Sequence, residues 1–368
     1  MLATAKLIVV VPVLDFGGIE TQTVIHLRSM RDVFESVRVC CFRDDGQAAE
    51  EIRRLGVPVD VLNTSPSVRN ATAPLRLRRY LRRYRPDIVH ARTGAMTVHG
   101  LLASASARVP VRIAEEVGIP GRGRLGQLVF PLVYRLASAV IGVSDSVTRF
   151  LNEEDGVPAG RAVRLYNTID ASFFELPTPR MDGPFRILTV GRLVPVKGHE
   201  VLVRAVAPML REGGCATLTV VGDGPERPRL EGLVEQLGIA ESVEFAGHRK
   251  DVARFFKTAS VFVLPSCSEG LPLALVEAMA SQVPVIATSV GGVPEAIAPG
   301  AEQWLVAAGD EQGLRDALQR VRSLDAAQRR QLGHSLRDHA WARFSPDQYR
   351  ADLIALYERL LANSRSTA

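Results

Sequence analysis

Two glutamates, Glu269 and Glu277, lie eight residues apart in a stretch that runs from 265 to 280. Eight residues correspond to about two helical turns, so both carboxylates would lie on nearly the same face of a helix that opens at 270–272. Glu277 has Leu, Val, Ala and Met as its sequence neighbours, which argues against a plain solvent-facing glutamate. The pair could therefore contact one bound molecule at two depths.

Two cations, Arg192 and Lys197, lie five residues apart in a loop that contains glycine and proline. Only four of the 45 basic residues in the chain are lysines, so a lysine here is the rarer choice. A diphosphate is bound well by two such cations. The alternative is a solvated surface pair.

Three glycine-rich turns also follow predicted strands. Gly17 and Gly18 open a predicted helix, where bare backbone N–H groups can approach an anion, although a plain strand-to-helix turn is an equal alternative. The turns at 221–225 and 289–295 have the same character. In open α/β sheets ligands bind at the carboxyl ends of the strands, so all these turns are expected at one kind of edge.

Short, continuous runs rich in Val and Ile predict buried strands of parallel sheets. Helical patterns lie between most of them, which predicts an α/β protein with two doubly wound, Rossmann-like domains. The predicted strands are 6–13, 36–42, 57–62, 87–91, 111–114, 138–143, 162–166, 186–190, 216–221, 243–246, 260–264, 284–287 and 303–307. Breaker residues between 167 and 185 indicate the boundary, giving domains over 1–170 and 171–345 and a final helix in 346–368.

The net charge of +5 does not indicate a nucleic-acid-binding protein, because the excess lies in the first half of the chain and arginine is the default cation throughout. Cys40, Cys41, Cys215 and Cys267 show neither a C-x-x-C pair nor metal-ligand spacing, which favours a reducing, cytoplasmic compartment. No run of about 18 apolar residues occurs, so no membrane-spanning helix is expected.

In order along the second half, the motifs G-R-L-x-x-x-K-G, V-G-D-G-P, P-S-x-x-E-G-L-P-L, E-x7-E and V-G-G-V-P-E appear. Together they resemble the retaining nucleotide-sugar glycosyltransferases of family 4, the group 1 transferases, which have the GT-B architecture. The resemblance covers nearly the whole chain. It implies that the first domain binds the acceptor, that the second binds the donor, and that the C-terminal helix returns to the first domain.

The resemblance also implies roles for individual residues. Arg192 and Lys197 would hold the donor diphosphate and offset charge on the leaving group. Glu277 would accept hydrogen bonds from the ribose hydroxyls, and Glu269 would hold the donor sugar together with the amides of Gly270 and Leu271. Further donor contacts are expected from Gly17 and Gly18 in the first domain and from His248 and Arg249 in a base-binding loop.

The acceptor side departs from the family pattern. The family's histidine position is Val117 in this chain. The polar residues that remain as acceptor-side candidates are His90, Arg92, Glu115 and Glu116. Thr168 and Gln282 likewise stand where the family usually has glycine. These departures affect the acceptor chemistry more than donor binding.

No Asp-x-Asp triplet occurs in the chain, and Arg192 and Lys197 would supply positive charge, so we expect no metal and no bound cofactor. The expected activity is retaining transfer of a hexose or related sugar from a UDP- or GDP-sugar to a hydroxyl of a growing or lipid-linked saccharide. Polysaccharide or lipopolysaccharide biosynthesis is the process implied. The alternatives are a nucleotide-sugar 2-epimerase of the same fold and a non-catalytic sugar-nucleotide-binding protein.

Two further patterns bear on ligands. A literal G-x-G-x-x-G at 121–126, with Asp145 downstream, could indicate a dinucleotide site, but it does not directly follow a strand. The stretch Arg69–Arg85 holds seven arginines and no acidic residue on a helical pattern. This basic face could rest on an anionic membrane or could be a solvated helix. A cytoplasmic protein, peripheral at the inner face of the membrane, is the corresponding expectation.

Overall fold

The structure is a computed structural model that describes residues 1–15, 17–43, 45–119, 121–181, 183–212 and 216–366. These residues form two compact units. The first unit comprises Met1–Thr168 and the C-terminal segment that begins at Pro346, and the second unit comprises Ile169–Ser345. The sequence places this boundary at 170, two residues away.

The first unit is built on seven parallel strands among its described residues, in the order β3-β2-β1-β4-β5-β6-β7. The strands are β1 (Lys6–Val11), β2 (Ser36–Cys41), β3 (Val59–Val61), β4 (Ile88–Arg92), β5 (Val111–Glu116), β6 (Ala139–Gly142) and β7 (Ala162–Arg164). The helices are α1 (Gly18–Met30), α2 (Gln47–Arg54), α3 (Ala73–Tyr84), α4 (Gly94–Ser106), α5 (Arg124–Tyr134), α6 (Asp145–Glu153) and the C-terminal α14 (Pro346–Ser366). The prediction of continuous apolar strands agrees with the burial of β1, in which every residue from Leu7 to Val11 is at most 1% exposed.

The helices of the first unit cover both faces of its sheet. Residues of α1, α2 and α14 share one apolar cluster with one set of strand side chains. Residues of α3 and α4 share a second cluster with the alternate side chains of the same strands, such as Ile8 and Val10. The chain adds β2 and β3 on one side of β1 and then β4 to β7 on the other side. Right-handed crossovers therefore place the helices that connect these two series of strands on opposite faces of the sheet.

The second unit has a six-stranded parallel sheet in the order β10-β9-β8-β11-β12-β13 within the described residues. Its strands are β8 (Phe185–Val190), β9 (Ala216–Val221), β10 (Val243–Gly247), β11 (Val261–Leu264), β12 (Val285–Thr288) and β13 (Leu305–Val306). Its helices are α7 (His199–Arg211), α8 (Arg227–Gln236), α9 (Ala253–Phe256), α10 (Leu273–Ala280), α11 (Val293–Ala296), α12 (Glu311–Ser323) and α13 (Ala326–Phe344). The α/β prediction with two parallel, Rossmann-like sheets is confirmed.

The main differences from the predicted strands occur at sheet edges. The predicted strands 57–62, 162–166 and 303–307 shorten to three, three and two residues in β3, β7 and β13. All three lie at an edge of their sheet, where only one side can pair. Cys40 and Cys41 are buried and Cys267 is exposed, all as free thiols, whereas Cys215 lies outside the described residues.

Candidate active site

Five loops leave the carboxyl ends of β8 to β12 at one edge of the second sheet, because all of these strands are parallel. They begin near 191, 222, 248, 265 and 289, and every second-half motif singled out from the sequence begins in one of these loops or at the strand end before it. An open parallel sheet binds ligands at this edge. A recess of about 510 Å³ in this unit lies elsewhere, where Arg186, Thr217 and Glu241 line it near the amino ends of strands.

The loops after β8 and β9 are joined by backbone hydrogen bonds. Gly191 N–H donates to Val221 O at 2.9 Å, and Leu193 N–H donates to Asp223 O at 2.9 Å. A Cβ atom on Gly222, which has φ +140°, would lie only 1.9 Å from Gly191 O. Only glycine therefore permits this approach, which fixes the loop that carries Arg192.

The loops after β8 and β11 are joined in the same way. Gly198 has φ +65°, and a Cβ atom there would lie 2.1 Å from Pro265 O. Nearby, Cys267 N–H donates to Val196 O at 2.7 Å. The short 3₁₀ turn Pro195–Lys197 is thereby fixed against the strand-end segment at 265–267.

This backbone packing brings Lys197 to Glu269. Lys197 Nζ donates to Glu269 Oε1 at 2.7 Å, and Ser266 Oγ donates to the same oxygen at 2.6 Å. The Glu269 side chain is 8% exposed and that of Lys197 is 27% exposed. The ion pair is thus largely shielded, and a carboxylate that accepts two donors is held in one orientation.

The backbone of Glu269 is fixed by the turn after β12. A Cβ atom on Gly291, which has φ +51°, would lie 1.8 Å from Glu269 O. Gly292 N–H donates to the same oxygen at 3.3 Å. Three separate motifs of the sequence therefore meet at one glutamate.

Arg192, the other predicted diphosphate ligand, is exposed, and it forms no ion pair or side-chain hydrogen bond with any described residue. Its loop is fixed, as shown above, whereas its guanidinium is open to solvent. It is therefore available for an incoming anion.

Glu277 lies in the second turn of α10, where its side chain is half-buried. Burial raises the pKa of Glu277 to about 8, and the nearby carboxylate of Asp170 adds to the rise. A carboxyl group with such a pKa is largely protonated at neutral pH. The Asp170 neighbour has no signal in the sequence, since the two residues are more than a hundred positions apart.

The remaining residues that were predicted to bind the donor lie at the ends of loops or at the starts of helices. Arg249 donates to both carboxylate oxygens of Asp251, at 2.9 and 3.0 Å, and this pairing raises the pKa of Arg249. His248 is exposed beside it. Gly270 and Leu271 lie just before Pro272, the N-cap of α10. Gly18 is the first residue of α1 in the first unit, with Gly17 as its N-cap.

Three of the four acceptor-side candidates lie in the interior of the first unit. His90, Arg92 and Glu115 are 0%, 0% and 1% exposed. Arg92 Nη2 donates to Glu115 Oε1 at 2.5 Å, and His90 Nδ1 lies 2.8 Å from the hydroxyl oxygen of Tyr357 on α14. Burial alone would raise the pKa of Glu115, but Arg92 and His90 outweigh it and hold that pKa well below its usual range.

This buried network also contains His26 and Tyr349, which the sequence analysis did not single out. His26 Nδ1 lies 3.0 Å from the Tyr349 hydroxyl, and His26 Nε2 lies 3.2 Å from the Tyr357 hydroxyl. The only sequence signal was the presence of polar residues inside apolar helical patterns. The network connects α1, β4 and β5 to α14, which explains why α14 belongs to the first unit.

The fourth candidate, Glu116, is 3% exposed at the end of β5. It accepts a hydrogen bond from Thr97 Oγ1 at 2.8 Å and lies 3.5 Å from Arg122 Nη2. Burial raises the pKa of Glu116, whereas Arg122 opposes that rise. Arg122 is held in turn by Asp155 at 2.6 Å. A role of these four residues toward an acceptor stays a prediction, since their contacts here are within the domain.

None of the described helices is both long enough and apolar enough to cross a membrane. Within the same part of the chain, no group of three or more His, Cys, Asp or Glu side chains is arranged to hold a metal ion.

Two family models match this chain, and together they cover most of it. The model described as Glycosyltransferase Family 4 matches residues 16–173, and the model described as Glycosyl transferases group 1 matches residues 184–323. The two matches correspond closely to the two structural units.

Curated relatives include the putative glycosyltransferase EpsF of Bacillus subtilis, which is 30% identical over 73% of this chain and 75% of its own length. The exopolysaccharide phosphotransferase SCO2592 of Streptomyces coelicolor is 29% identical over 83% of this chain and 32% of that protein. The amylovoran biosynthesis glycosyltransferase AmsK of Erwinia amylovora is 34% identical over 38% of this chain and 36% of that protein. The matched regions thus span about a third of the length of the last two relatives.

Solved structures share the fold at low sequence identity. Anabaena HepE in complex with UDP-glucose matches this chain with a TM-score of 0.82 at 22% identity. The match covers 99% of this chain and 100% of the HepE chain. A glycosyltransferase from Rickettsia africae has a TM-score of 0.85 at 18% identity, with 98% of this chain and 99% of that chain covered. With the two family models and the similarity to EpsF, these findings show that the chain belongs to the group 1 glycosyltransferases of family 4, which have the GT-B fold.

Proposed function

We propose that this protein transfers a sugar from a UDP-sugar to a hydroxyl group of a saccharide, with the donor bound at the carboxyl edge of the second sheet. The observation that carries the proposal is the cluster of Lys197, Ser266 and Glu269, with the exposed Arg192 in the same loop as Lys197. It supplies two cations for a diphosphate and one oriented carboxylate for sugar hydroxyls. The choice of UDP is supported by HepE, whose structures contain UDP and UDP-glucose.

In the proposed reaction, the bond between the anomeric carbon and the diphosphate oxygen breaks while the acceptor oxygen bonds to the same carbon. Negative charge grows on the leaving diphosphate, and Arg192 and Lys197 offset it without reorganisation of solvent. The proton of the acceptor hydroxyl passes to the departing diphosphate, so charge and atoms balance. The carboxylates of Glu115 and Glu116 are buried and accept hydrogen bonds from Arg92 and Thr97 inside the first unit, which does not favour either as a nucleophile. Departure and attack on one face, with retention, is therefore the proposed course.

Metal independence is part of the proposal, because two side-chain cations at the diphosphate can replace a divalent ion. The acceptor is proposed to be a growing or lipid-linked saccharide. This choice is supported by relatives that are named for exopolysaccharide and for amylovoran biosynthesis. Association with the cytoplasmic face of a membrane through Arg69–Arg85 would suit such an acceptor.

A thermal-shift panel of UDP, GDP, ADP, dTDP and NAD, all in EDTA, tests the donor site first. A nucleotide at about 100 times its dissociation constant adds about 2.7 kcal/mol of stability. We expect a shift with UDP that is lost in Glu277→Ala. A shift with NAD alone would refute the proposal, and a strict need for a divalent ion would refute metal independence.

Incubation with UDP-sugars then separates the possible reactions. A glycosylated acceptor whose anomeric configuration by NMR matches that of the donor is the expected product. A 2-epimeric sugar released with UDP would instead indicate the epimerase, and binding of UDP without any turnover would indicate the non-catalytic protein.

A further inference from the structure

The recess of about 510 Å³ lies on one face of the second sheet, near the amino ends of β8, β9 and β10. The connection from β10 to β11 passes over this face, and its only helix is α9, which has four residues. Four helical residues extend about 6 Å, whereas the six-residue strand β9 extends about 20 Å. α9 therefore covers only part of the strands that it crosses, which leaves the recess beside it.

The floor of the recess is formed by polar side chains from three strands. Arg186 pairs in register with Thr217, and Thr219 pairs in register with Glu244. Register partners on adjacent strands point to the same face of a sheet, and so do residues two apart on one strand. All four side chains therefore share the face that lines the recess. Because strands covered on both faces are normally apolar, this floor is suited to a polar occupant.

Charges of both signs line the recess, and three of them have no partner among the described residues. Arg186, Glu241 and Glu244 form no ion pair and no side-chain hydrogen bond within that part of the chain. The fourth charge belongs to Arg254, whose Nη1 lies 3.1 Å from Asp251 Oδ2. Two arginines and two glutamates give the lining no net formal charge.

A neutral ligand that is rich in hydroxyl groups matches this lining. A guanidinium group only donates hydrogen bonds and a carboxylate only accepts them, whereas a hydroxyl group does both. An anion would be repelled by the two glutamates and a cation by the two arginines. The half-buried Phe255, whose ring centre lies 4.7 Å from the guanidinium carbon of Arg254, adds apolar surface for the C–H groups of a sugar ring. A saccharide combines both kinds of surface.

The recess is separate from the donor loops of the same unit. The donor loops leave the carboxyl ends of the strands, whereas the recess lies near the amino ends. Arg186 precedes Gly191 by five residues of β8 and its end. Strand geometry therefore places these two residues about 16 Å apart. A saccharide bound in the recess would leave the donor loops open.

We propose that this recess is a second saccharide-binding site, which holds an uncharged oligosaccharide through Arg186, Glu241 and Glu244 and performs no chemistry on it. The inference goes beyond the proposed sugar transfer, because it requires neither a donor nor turnover. In an enzyme that extends a saccharide, such a site would keep the growing chain on the protein between transfers.

Saturation-transfer difference NMR on the full chain tests the proposal. Maltotriose, cellotriose and raffinose serve as uncharged probes, and citrate and spermidine serve as charged ones. We expect saturation transfer to at least one of the saccharides and to neither charged compound. The signal of that saccharide should persist in saturating UDP, because the recess is separate from the donor loops.

Substitutions in the recess assign the site. Thr217 is exposed, so Thr217→Trp should fill the recess and abolish saccharide binding, whereas Thr217→Ser should retain it. Arg186→Gln and Glu241→Gln should each raise the dissociation constant about tenfold or more, the usual effect of removing a charged hydrogen-bonding partner. These two variants decide the same question if the tryptophan variant does not fold.

A matched control changes charges elsewhere in the same unit, through Glu235→Gln and Arg330→Gln at exposed positions. This variant should bind the saccharide like the unchanged protein. UDP-induced thermal shifts of every variant should equal that of the unchanged protein, because no substituted residue lies in the donor loops. Absence of a UDP shift in the unchanged protein would count against the donor proposal alone.

Three results would overturn the inference. The first is no saturation transfer to any of the three saccharides. The second is saccharide binding that the recess variants leave unchanged, which would mean that the saccharide binds elsewhere on the protein. The third is saturation transfer to citrate or spermidine without any to a saccharide, which would assign the recess to a charged ligand.

Discussion

Lys197 Nζ lies 2.7 Å from Glu269 Oε1, across 72 positions of sequence. The pair connects the predicted diphosphate ligand with the predicted sugar ligand. A diphosphate that binds near Lys197 would compete with Glu269 for its ammonium group. The carboxylate would keep its bond from Ser266 and would be released toward sugar hydroxyls.

Changing Lys197 to glutamine should therefore lower kcat by about 10² to 10³, the usual cost of removing one donor that stabilises a leaving anion. The KM for the UDP-sugar should change less, because the cation acts mainly on charge that grows as the bond breaks. Steady-state assay of UDP release measures both constants.

Lys257→Gln is the matched control for this change, since Lys257 is an exposed lysine of the same unit. It should leave kcat unaltered. An unchanged kcat in Lys197→Gln would mean that the diphosphate binds elsewhere.

Glu277 should make the stability of the protein depend on pH. Its pKa rises from 4.5 to about 8 on folding, so the folded form binds the proton more tightly. The stabilisation that the bound proton of Glu277 contributes is complete below pH 4.5 and is lost as the pH rises through 8. Thermal unfolding from pH 5 to 9 should show a decline in Tm that is flatter in Glu277→Gln.

The same group should release a proton when UDP binds, if the ribose hydroxyls select its carboxylate form. Calorimetry at pH 7 in buffers of different ionisation enthalpy counts the released protons. Glu277→Gln should release fewer. Equal proton release by both proteins would mean that the carboxyl group of Glu277 does not lose its proton when UDP binds.

Substitution of Gly291 by alanine should destabilise the second unit and displace Glu269. A Cβ atom would meet Glu269 O at 1.8 Å, and φ is +51°. We expect a loss of about 3 kcal/mol or more, beyond the range of most point mutations. Gly300→Ala is the control, because φ is +85° but nothing lies within 4 Å of its Cβ position.

The control should cost about 1 to 2 kcal/mol, the usual penalty of a left-handed alanine. Urea unfolding of both variants compares the two losses. If the variants lose the same free energy, close backbone approach at Gly291 is not what requires glycine.

The buried histidines of the first unit should weaken it in mild acid. Burial lowers the pKa of His26 well below 6.5, with His90 and Arg92 adding to the effect, and burial also lowers the pKa of His90. Both histidines bind a proton in the unfolded chain at pH values at which they stay neutral in the folded chain. The free energy of unfolding therefore decreases as the pH falls below 6.5. Each histidine contributes a slope of up to about 1.4 kcal/mol per pH unit.

His26→Gln should therefore reduce the dependence of the unfolding free energy on pH between 5 and 6.5. Groups that face His26 and could also titrate or carry charge are His90, Arg92, Glu115, Tyr349 and Tyr357. Exposed His334 provides the control substitution. A slope identical in His26→Gln and the unchanged protein would refute the assignment.

Several features of this protein were determined by the sequence itself. Short Val- and Ile-rich runs between helical patterns predicted both parallel sheets, because burial on two faces leaves a local signature of continuous apolar residues. The glycine motifs predicted tight strand-end turns, since only glycine allows the backbone approaches seen at Gly222 and Gly291.

The tertiary structure alone decided which side chains meet. Lys197 and Glu269 are paired because β8 and β11 are neighbours in the sheet, an order that periodicity does not encode. His90 and Glu115, expected near an acceptor, lie in the interior because α14 returns with Tyr357 to cover them. The exposure of Leu125, Leu128 and Leu132 on α5 also depends on packing, since a helical pattern does not state which of its apolar residues a neighbour will cover.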